Sequence, residues 1–394
     1  MPVPRMPWFT LLVIAGAIFV SVTSEFLPAG LLPEIAADLD VSESRVGVLV
    51  TAFAATVVVA TAPLTALTRR LPRKPLLVGA MLIGAVGNAL AAFAPSYEVL
   101  LGSRILAGLS YGLFWALVMG AVARVVAPEQ LARAVAVALG GGTTAFVLGI
   151  PLGTALGTAI GWRTAFVVIA AAILLLGVLV AVLLPHLEQD PAAPAGERIP
   201  IWRAGGVRSV LLLCLVVIVT MGAHYVFYTY IASYAIEVGG FDQRSVSLLL
   251  FAYGAAGALG LVGVGVLGDR HPRVAVIGGM LLAASAVALL VVFPGVPWLL
   301  VAVLVVWGFA LGGVPAMLQS TVLRVASPRI RDLSSAVYSS SFNFAIGGGA
   351  LLGAGILDVH GLVGLVPVAA FGLALGAVIA AASGRSPARR MRVR

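Results

Sequence analysis

Long apolar runs separated by short polar interruptions dominate this chain, and their pattern predicts its helices. A membrane-spanning helix needs about 20 consecutive apolar residues, and twelve runs in the sequence are long enough. They predict helices at residues 8–30, 45–67, 75–94, 98–122, 134–159, 164–184, 209–236, 245–267, 274–293, 298–322, 333–356 and 362–383. The pattern therefore predicts an all-α membrane protein with twelve transmembrane helices.

The longest polar interruption divides these helices into two sets of six. It spans residues 186–208 and contains proline, glycine and charges of both signs, which is typical of a linker. We predict an N-terminal six-helix half (1–185), a cytoplasmic linker (186–208), a C-terminal six-helix half (209–383) and a basic cytoplasmic tail (384–394).

The two halves repeat each other when the chain is shifted by 200 residues. The loop RRLPR at 69–73 then falls on DRHPR at 269–273, and RVVAP at 124–128 falls on RVASP at 324–328. Glycines keep the same register: Gly108, Gly112, Gly149 and Gly153 fall on Gly308, Gly312, Gly349 and Gly353. Parallel repeats of this kind are typical of secondary transporters, with the substrate site between the repeats near the middle of the membrane.

Composition and charge indicate a lipid environment. Hydrophobic residues make up 61% of the chain and charged residues 10%, whereas soluble domains carry about 25% charged residues. The net charge of +9 does not indicate a nucleic-acid partner, because 20 of the 24 basic residues fall on one side if the N-terminus is cytoplasmic. This is the positive-inside distribution. We predict a multi-pass protein of the cytoplasmic (inner) cell membrane, with both termini cytoplasmic.

No residue pattern in the sequence would carry enzyme chemistry or hold a cofactor. The only cysteine, Cys214, has no partner for a disulfide or a metal cluster. The GxSxG pattern at 108–112 and the GxGxxG pattern at 263–268 lie within apolar helices, whereas both motifs need a strand before a helix. We expect no cofactor, no metal site and no catalysis. Without an ATP-binding motif, transport would be driven by an ion gradient.

Several motifs together resemble the major facilitator superfamily. Residues 265–273, GVLGDRHPR, are similar to that family's loop signature between helices 2 and 3 and between helices 8 and 9. Residues 104–108, RILAG, resemble its proton-coupling motif, and residues 149–153, GIPLG, resemble its antiporter motif. The stretches TSEFLPAGLLPEIAADLDVS and GAHYVFYTYI resemble the drug:proton antiporter-1 type, in the branch that exports sugars, nucleosides and phenicol-type drugs.

The resemblance implies roles for two groups of residues. The gating loops would contain Arg69, Arg73, Asp269, Arg270 and Arg273, and the antiporter-like motif Gly149, Pro151 and Gly153. Two positions depart from the family pattern. Arg69 stands where the first loop copy would have an aspartate, and Ile150 separates the glycine and proline that are usually adjacent.

Glu25 is the one acidic residue that we place inside a predicted span, and a carboxylate at that depth is a functional-site hypothesis by default. Arg104 follows Glu98, at the start of the fourth helix, by six residues, which is roughly 9 Å at 1.5 Å per residue. The family resemblance places the two helices side by side, so we expect the charges to pair. Pairing favours the ionised carboxylate and burial the protonated one, a balance that suits a proton carrier. The alternative is a carboxylate that reaches water at the interface.

His224, near the middle of the seventh helix, is a further candidate for proton coupling, with simple packing as the alternative. Its helix face continues to Tyr228, and the face of Arg104 continues through Tyr111 and Trp115. These aromatic residues, together with Asn343 in the eleventh helix, predict the lining of a substrate cavity. Helix packing is the alternative for each aromatic residue taken singly.

The sequence thus predicts a secondary active transporter that exports a small organic molecule, of drug, sugar or nucleoside type, by proton antiport with alternating access. A proton-coupled uptake symporter and a uniporter stay open as alternatives, and a membrane enzyme is not favoured. The expected partners are the substrate, protons and the lipid bilayer, without nucleic acid. The chain is expected to be a monomer.

Reporter fusions test the predicted topology. A reporter that is active only in the cytoplasm should be active when fused at Arg198 and at Arg394, because the basic residues place the linker and the tail inside. The same reporter fused at Asp40, in the predicted outer loop, should be inactive. Opposite results at Arg198 and Arg394 would contradict the twelve-helix topology.

Overall fold

The computed structural model describes residues 6–68, 71–185, 205–327 and 330–383, without the side chains of 128, 132, 265–270, 332 and 383. Over these residues the regular structure is helical, and twelve segments are long and apolar enough to cross a membrane. The predicted all-α fold with twelve membrane helices is therefore confirmed. Most of the predicted linker (186–204) and the whole predicted tail (384–394) lie outside the described residues.

The chain separates into two compact units. One consists of Met1–Ala195 and Asp242–Phe251, and the other of Gly196–Phe241 and Ala252–Arg394. The boundaries predicted for the two halves, the linker and the tail stay predictions.

Eight α-helices precede the linker: α1 (Trp8–Gly30), α2 (Leu32–Leu39), α3 (Glu43–Thr68), α4 (Arg73–Ala92), α5 (Tyr97–Val125), α6 (Leu131–Thr144), α7 (Ile150–Ile160) and α8 (Trp162–Leu183). Eight follow it: α9 (Val207–Tyr228), α10 (Ile231–Ser233), α11 (Val246–Arg270), α12 (Pro272–Val292), α13 (Pro297–Gly312), α14 (Val314–Val325), α15 (Arg331–His360) and α16 (Leu365–Ser383). The segments α6 with α7 and α13 with α14 each make up one candidate membrane span.

The segment between the first two spans contains a helix where the sequence predicted an outer loop. Helix α2 has a proline in its first turn, and Asp40, the residue directly after its end, has a left-handed φ of 51°. Proline suits a first helical turn, and aspartate tolerates the left-handed conformation better than most residues. Trp162 and Arg163, at the start of α8, both donate hydrogen bonds to the carboxylate of Asp38. Asp38 therefore fastens α2 to α8.

Three of the predicted spans are interrupted. In the fifth span a π-helical turn (Ala145–Gly149) precedes α7, which has Pro151 in its first turn. Proline lacks an amide hydrogen and clashes with the preceding turn, so Pro151 accounts for the π turn directly before α7. The seventh span, predicted to reach residue 236, ends as α9 at Tyr228, and the tenth is divided at Gly313. Apolar periodicity does not mark such breaks.

The internal repeat is also present in the helix packing. Gly108 of α5 lies so close to α3 that a Cβ atom would overlap the carbonyl oxygen of Phe53. Its counterpart, Gly308 of α13, stands in the same relation to the carbonyl oxygen of Tyr253 on α11. Small residues let membrane helices approach closely, where van der Waals packing holds them together. The repeated glycines thus mark equivalent helix contacts in each unit.

The second repeated glycine pair marks another equivalent contact. At Gly149 a Cβ atom would overlap the hydroxyl of Thr23 on α1, and at Gly349 it would overlap the carbonyl oxygen of Gly222 on α9. The first helix of each repeat therefore packs against the fifth at a glycine.

Two adjacent glycines on α15 test this packing. Gly349→Ala should destabilise the protein by about 1–3 kcal/mol, because the added methyl group overfills the contact with α9. Gly348→Ala is the matched control: a Cβ atom there meets nothing within 4 Å, and alanine favours a helix by about 0.8–1 kcal/mol over glycine. Thermal unfolding in detergent, followed by tryptophan fluorescence, measures both. Equal unfolding temperatures for the two variants would contradict the assigned contact.

Candidate functional site

Glu25 is buried inside the first unit. It lies in the last third of α1, only 3% exposed, between Ser24 and Phe26, which are equally buried. A carboxylate that simply reached water at the interface would be exposed. The burial therefore favours the functional interpretation over that alternative.

Arg104 on α5 is buried beside it, 1% exposed. Its Nη2 donates a hydrogen bond of 3.1 Å to the main-chain carbonyl oxygen of Glu25. Its Cζ lies 4.5 Å from the centre of the Phe53 ring, which gives a cation–π contact. Pro28, inside α1, has no amide hydrogen to donate to the turn before it. In membrane helices, neighbouring side chains commonly bond the backbone groups that a proline leaves free.

The carboxylate of Glu25 is held by a different group. The Tyr111 hydroxyl hydrogen-bonds to it, and the buried Arg104 lies nearby. Within the described residues no salt bridge of 4 Å or less joins Glu25 to Arg104, and Glu25 Oε1 and Arg104 Nε have no hydrogen-bond partner. The structure thus brings the predicted residues together through a main-chain bond, and a direct ion pair stays a prediction.

Aromatic rings extend from this site along α5. Tyr111 lies 5.2 Å from Phe53 and 6.0 Å from Trp115, measured between ring centres. Trp115 is half-buried, and its Nε1 has no hydrogen-bond partner within the described residues. Tyr111 and Trp115, predicted as cavity residues, therefore form one row with Glu25 at its end.

Sequence reasoning missed a polar cluster beside Glu25. The Ser24 hydroxyl donates to Asn88 Oδ1 at 2.7 Å, Asn88 Nδ2 donates to the Gly84 carbonyl at 2.8 Å, and the Ser110 hydroxyl donates to the Ala80 carbonyl at 2.6 Å. The only sign of this cluster in the sequence was Asn88, a single asparagine in the otherwise apolar third run.

His224 lies in an aromatic cluster of the second unit, 5% exposed. Its ring centre is 4.6 Å from that of Tyr225, 5.0 Å from Tyr228, 6.1 Å from Tyr253 and 4.9 Å from Trp307. Within the described part of the chain, His224 Nδ1 and Trp307 Nε1 are buried without a hydrogen-bond partner. The predicted pair of His224 and Tyr228 is thus in contact. Tyr253 and Trp307 were missed because they reach the cluster from other helices.

Asn343 is less closely attached to this cluster. It lies on α15 and donates from Nδ2 to the Ser339 carbonyl at 3.1 Å, while its buried Oδ1 lacks a partner within the described residues. Its neighbour Phe342 lies 6.5 Å from Tyr225, measured between ring centres. Its role as a cavity residue stays a prediction.

The predicted gating residues are only partly described. Arg69 lies outside the described residues, and so do the side chains of Asp269 and Arg270. Arg73 begins α4, and Arg273 lies in the first turn of α12. Their gating role stays a prediction.

The antiporter-like motif lies along α1. Gly149 packs against Thr23, Gly153 packs against Leu27, and Pro151 lies between them in the first turn of α7. The two contacts lie on either side of the buried carboxylate in the α1 sequence. Within the described residues no group of three or more His, Cys, Asp and Glu side chains could hold a metal ion.

Comparisons with known proteins point to one family. The family model of the Major Facilitator Superfamily matches residues 14–265 and again 240–393. The chain is 32% identical over 345 residues to a probable sugar efflux transporter of Helicobacter pylori, covering 87% of each chain. It is 31% identical over 382 residues to a probable sugar efflux transporter of Mannheimia succiniciproducens, covering 95% of this chain and 93% of the relative.

Solved structures show the same fold at lower sequence identity. A bacterial homologue of the human lysosomal transporter Spinster, in an inward-facing and occupied conformation, aligns with a TM-score of 0.76 at 15% identity, covering 97% of both chains. The human organic anion transporter MFSD10 aligns with a TM-score of 0.67 at 18% identity, covering 96% of this chain and all of the other.

The buried hydrogen bond of Arg104 leads to a stability prediction. Arg104→Ala should destabilise the protein by about 1.5–3 kcal/mol, the range for a hydrogen bond with one charged partner. Arg244→Ala, at an exposed arginine, should leave the unfolding temperature nearly unchanged. Thermal unfolding in detergent compares the two. An Arg104→Ala protein as stable as the Arg244→Ala protein would contradict the assigned bond.

Proposed function

The chain belongs to the Major Facilitator Superfamily, and on that premise we propose that this membrane transporter exports a small sugar-type molecule in exchange for protons. In this proposal the protein is a monomer of the cytoplasmic membrane with both termini inside. It would belong to the drug:proton antiporter-1 type, in the sugar-exporting branch. Its support is the identity to probable sugar efflux transporters and the chemistry of two buried sites.

The burial of Glu25 is the main observation that supports proton coupling. Of the described residues, Glu25 is the only buried carboxylate and Arg104 the only buried guanidinium. Burying an ionisable group without full hydrogen bonding is unfavourable, and one oxygen of Glu25 has no partner in the described part of the chain. A group of this kind in a membrane helix is characteristic of a proton pathway.

The surroundings of Glu25 suit a carboxylate that changes its protonation state. When ionised, it would accept a hydrogen bond from the Tyr111 hydroxyl and would lie near the buried positive charge of Arg104. When protonated, it removes a negative charge from an apolar environment. Proton and substrate would then stabilise different conformations of the transporter, and alternating access would couple their movements in opposite directions.

The aromatic cluster of the second unit supports a sugar-type substrate. Sugars have C–H faces that stack on aromatic rings and hydroxyl groups that accept and donate hydrogen bonds. The cluster contains groups of both kinds: the aromatic rings of Tyr228 and Tyr253, and two buried nitrogen atoms, His224 Nδ1 and Trp307 Nε1, that lack partners in the described chain. Apolar walls with a few polar groups are the usual composition of a small-molecule site.

Transport in proteoliposomes tests the coupling residue. Vesicles with an acidic lumen should accumulate labelled sugar from a panel of pentoses, hexoses and disaccharides, because protons leaving the lumen drive sugar into it. Glu25→Gln should reduce this accumulation to the level of empty vesicles, since glutamine cannot carry a proton. Sugar exchange without a pH gradient should persist in the variant.

Glu98→Gln is the matched control, because Glu98 is an exposed acid in the first turn of α5. It should accumulate sugar as the unmodified protein does. Accumulation only with an acidic exterior would indicate an uptake symporter, and transport indifferent to pH would indicate a uniporter. Full accumulation by Glu25→Gln would contradict its coupling role, and a panel in which no sugar moves would contradict the sugar-type substrate.

A further inference from the structure

A small cavity lined by both polar and apolar residues lies beside the Glu25 site. Its volume is about 20 Å³, and its lining includes Ser21, Ser24, Met81, Asn88, Ser110 and Tyr111. A cavity holds one water molecule once its volume exceeds about 10–15 Å³ and its walls offer two to four polar partners. Both conditions are met here.

The polar groups of the cavity have unused hydrogen-bonding capacity. Asn88 Nδ2 donates one bond and Oδ1 accepts one, whereas a primary amide can donate two and accept two. The hydroxyls of Ser24 and Ser110 are both used as donors, and their acceptor lone pairs stay available. Asn88 is buried, so its remaining capacity needs a partner inside the protein.

Tyr111 connects the cavity to the carboxylate. It lines the cavity, and its hydroxyl hydrogen-bonds to Glu25. A hydroxyl can accept a proton on its oxygen while it gives up its own. The tyrosine therefore stands between a water-sized cavity and the proposed proton carrier.

We propose that this cavity binds one water molecule, held by Ser24, Asn88 and Ser110, which delivers the proton to Glu25 through Tyr111. A proton arriving on the water passes to the Tyr111 oxygen while the Tyr111 hydroxyl proton passes to the carboxylate. The step leaves a neutral water, an unchanged tyrosine and a protonated Glu25. The relay rests on the proposed function only in taking Glu25 as the proton carrier.

Radiolytic labelling tests the water site. X-ray irradiation of the full-length protein in detergent generates hydroxyl radicals from bound water, and these oxidise a neighbouring methionine. Met81 lines the cavity, whereas Met221 is equally buried, each being 3% exposed, and lies in the other unit. Mass spectrometry should find oxidation at Met81 several-fold above that at Met221. Equal oxidation of the two methionines would overturn the water site, and this comparison needs no variant.

A pair of matched substitutions on α5 tests the relay. Ser110→Thr keeps the hydroxyl that bonds to Ala80 and adds a methyl group beside the cavity. Ser103→Thr makes the same change two turns earlier, at a buried serine outside the cavity lining that bonds to Leu100. Ser110→Thr should abolish the excess labelling of Met81, and Ser103→Thr should preserve it.

Time-resolved infrared spectroscopy then measures the protonation of Glu25 after a pH jump, with the carboxyl band identified by its absence in Glu25→Gln. Ser110→Thr should slow the appearance of the band by about 10²-fold, the lower range for a positioned proton-transfer group, and Ser103→Thr should not slow it. An unchanged rate in a Ser110→Thr protein that has lost Met81 labelling would overturn the relay, as would the absence of the band from the unmodified protein. Transport is not measured here, so failure of the relay is distinguishable from failure of proton antiport.

Discussion

A guanidinium group buried in a helix bundle must find acceptors inside the protein, and in this chain the carbonyl oxygen of Glu25 is one of them. That bond fixes α5 against α1 at the turn that carries the buried carboxylate. Other contacts of α1 also hold the turn that contains Glu25. Gly149 and Gly153 bring the fifth span close to α1 on either side of Glu25. The position of the carboxylate therefore depends on a charged side chain, on small residues and on a helix whose proline limits its own hydrogen bonding.

The two units share their helix packing and differ in their buried chemistry. Glycines at equivalent positions mark equivalent contacts, as Gly108 with Phe53 and Gly308 with Tyr253 show. The buried charges of the described chain lie in the first unit, whereas the second has a cluster of aromatic rings around a histidine. A duplicated scaffold has thus been filled with different side chains. On the proposed function, the first unit would bind the proton and the second would bind the sugar.

The sequence was sufficient for the fold because twelve apolar runs of membrane-spanning length leave few alternatives. It also pointed to Glu25, Arg104 and His224, which are buried in the structure, since ionisable groups in such runs are rare. Their roles in proton coupling stay predictions. The breaks in the fifth, seventh and tenth spans were not predicted, because a π turn or a short kink hardly alters apolar composition. The partners of the site were missed for another reason. Asn88 and Trp307 reach their clusters across helix contacts, and one sequence does not show which helix faces meet.

On the proposed function, substrate and proton compete through Glu25, and calorimetry of sugar binding tests this competition most directly. Binding of a transported sugar to the detergent-solubilised protein is measured in buffers of different ionisation enthalpy, between about pH 5 and pH 8. If the two compete, the unmodified protein should release protons when it binds the sugar, so its apparent binding enthalpy should vary with the buffer. The Glu25→Gln protein should bind the sugar with an enthalpy independent of the buffer. Equal proton release from both proteins, or none from the unmodified protein, would contradict competition through Glu25.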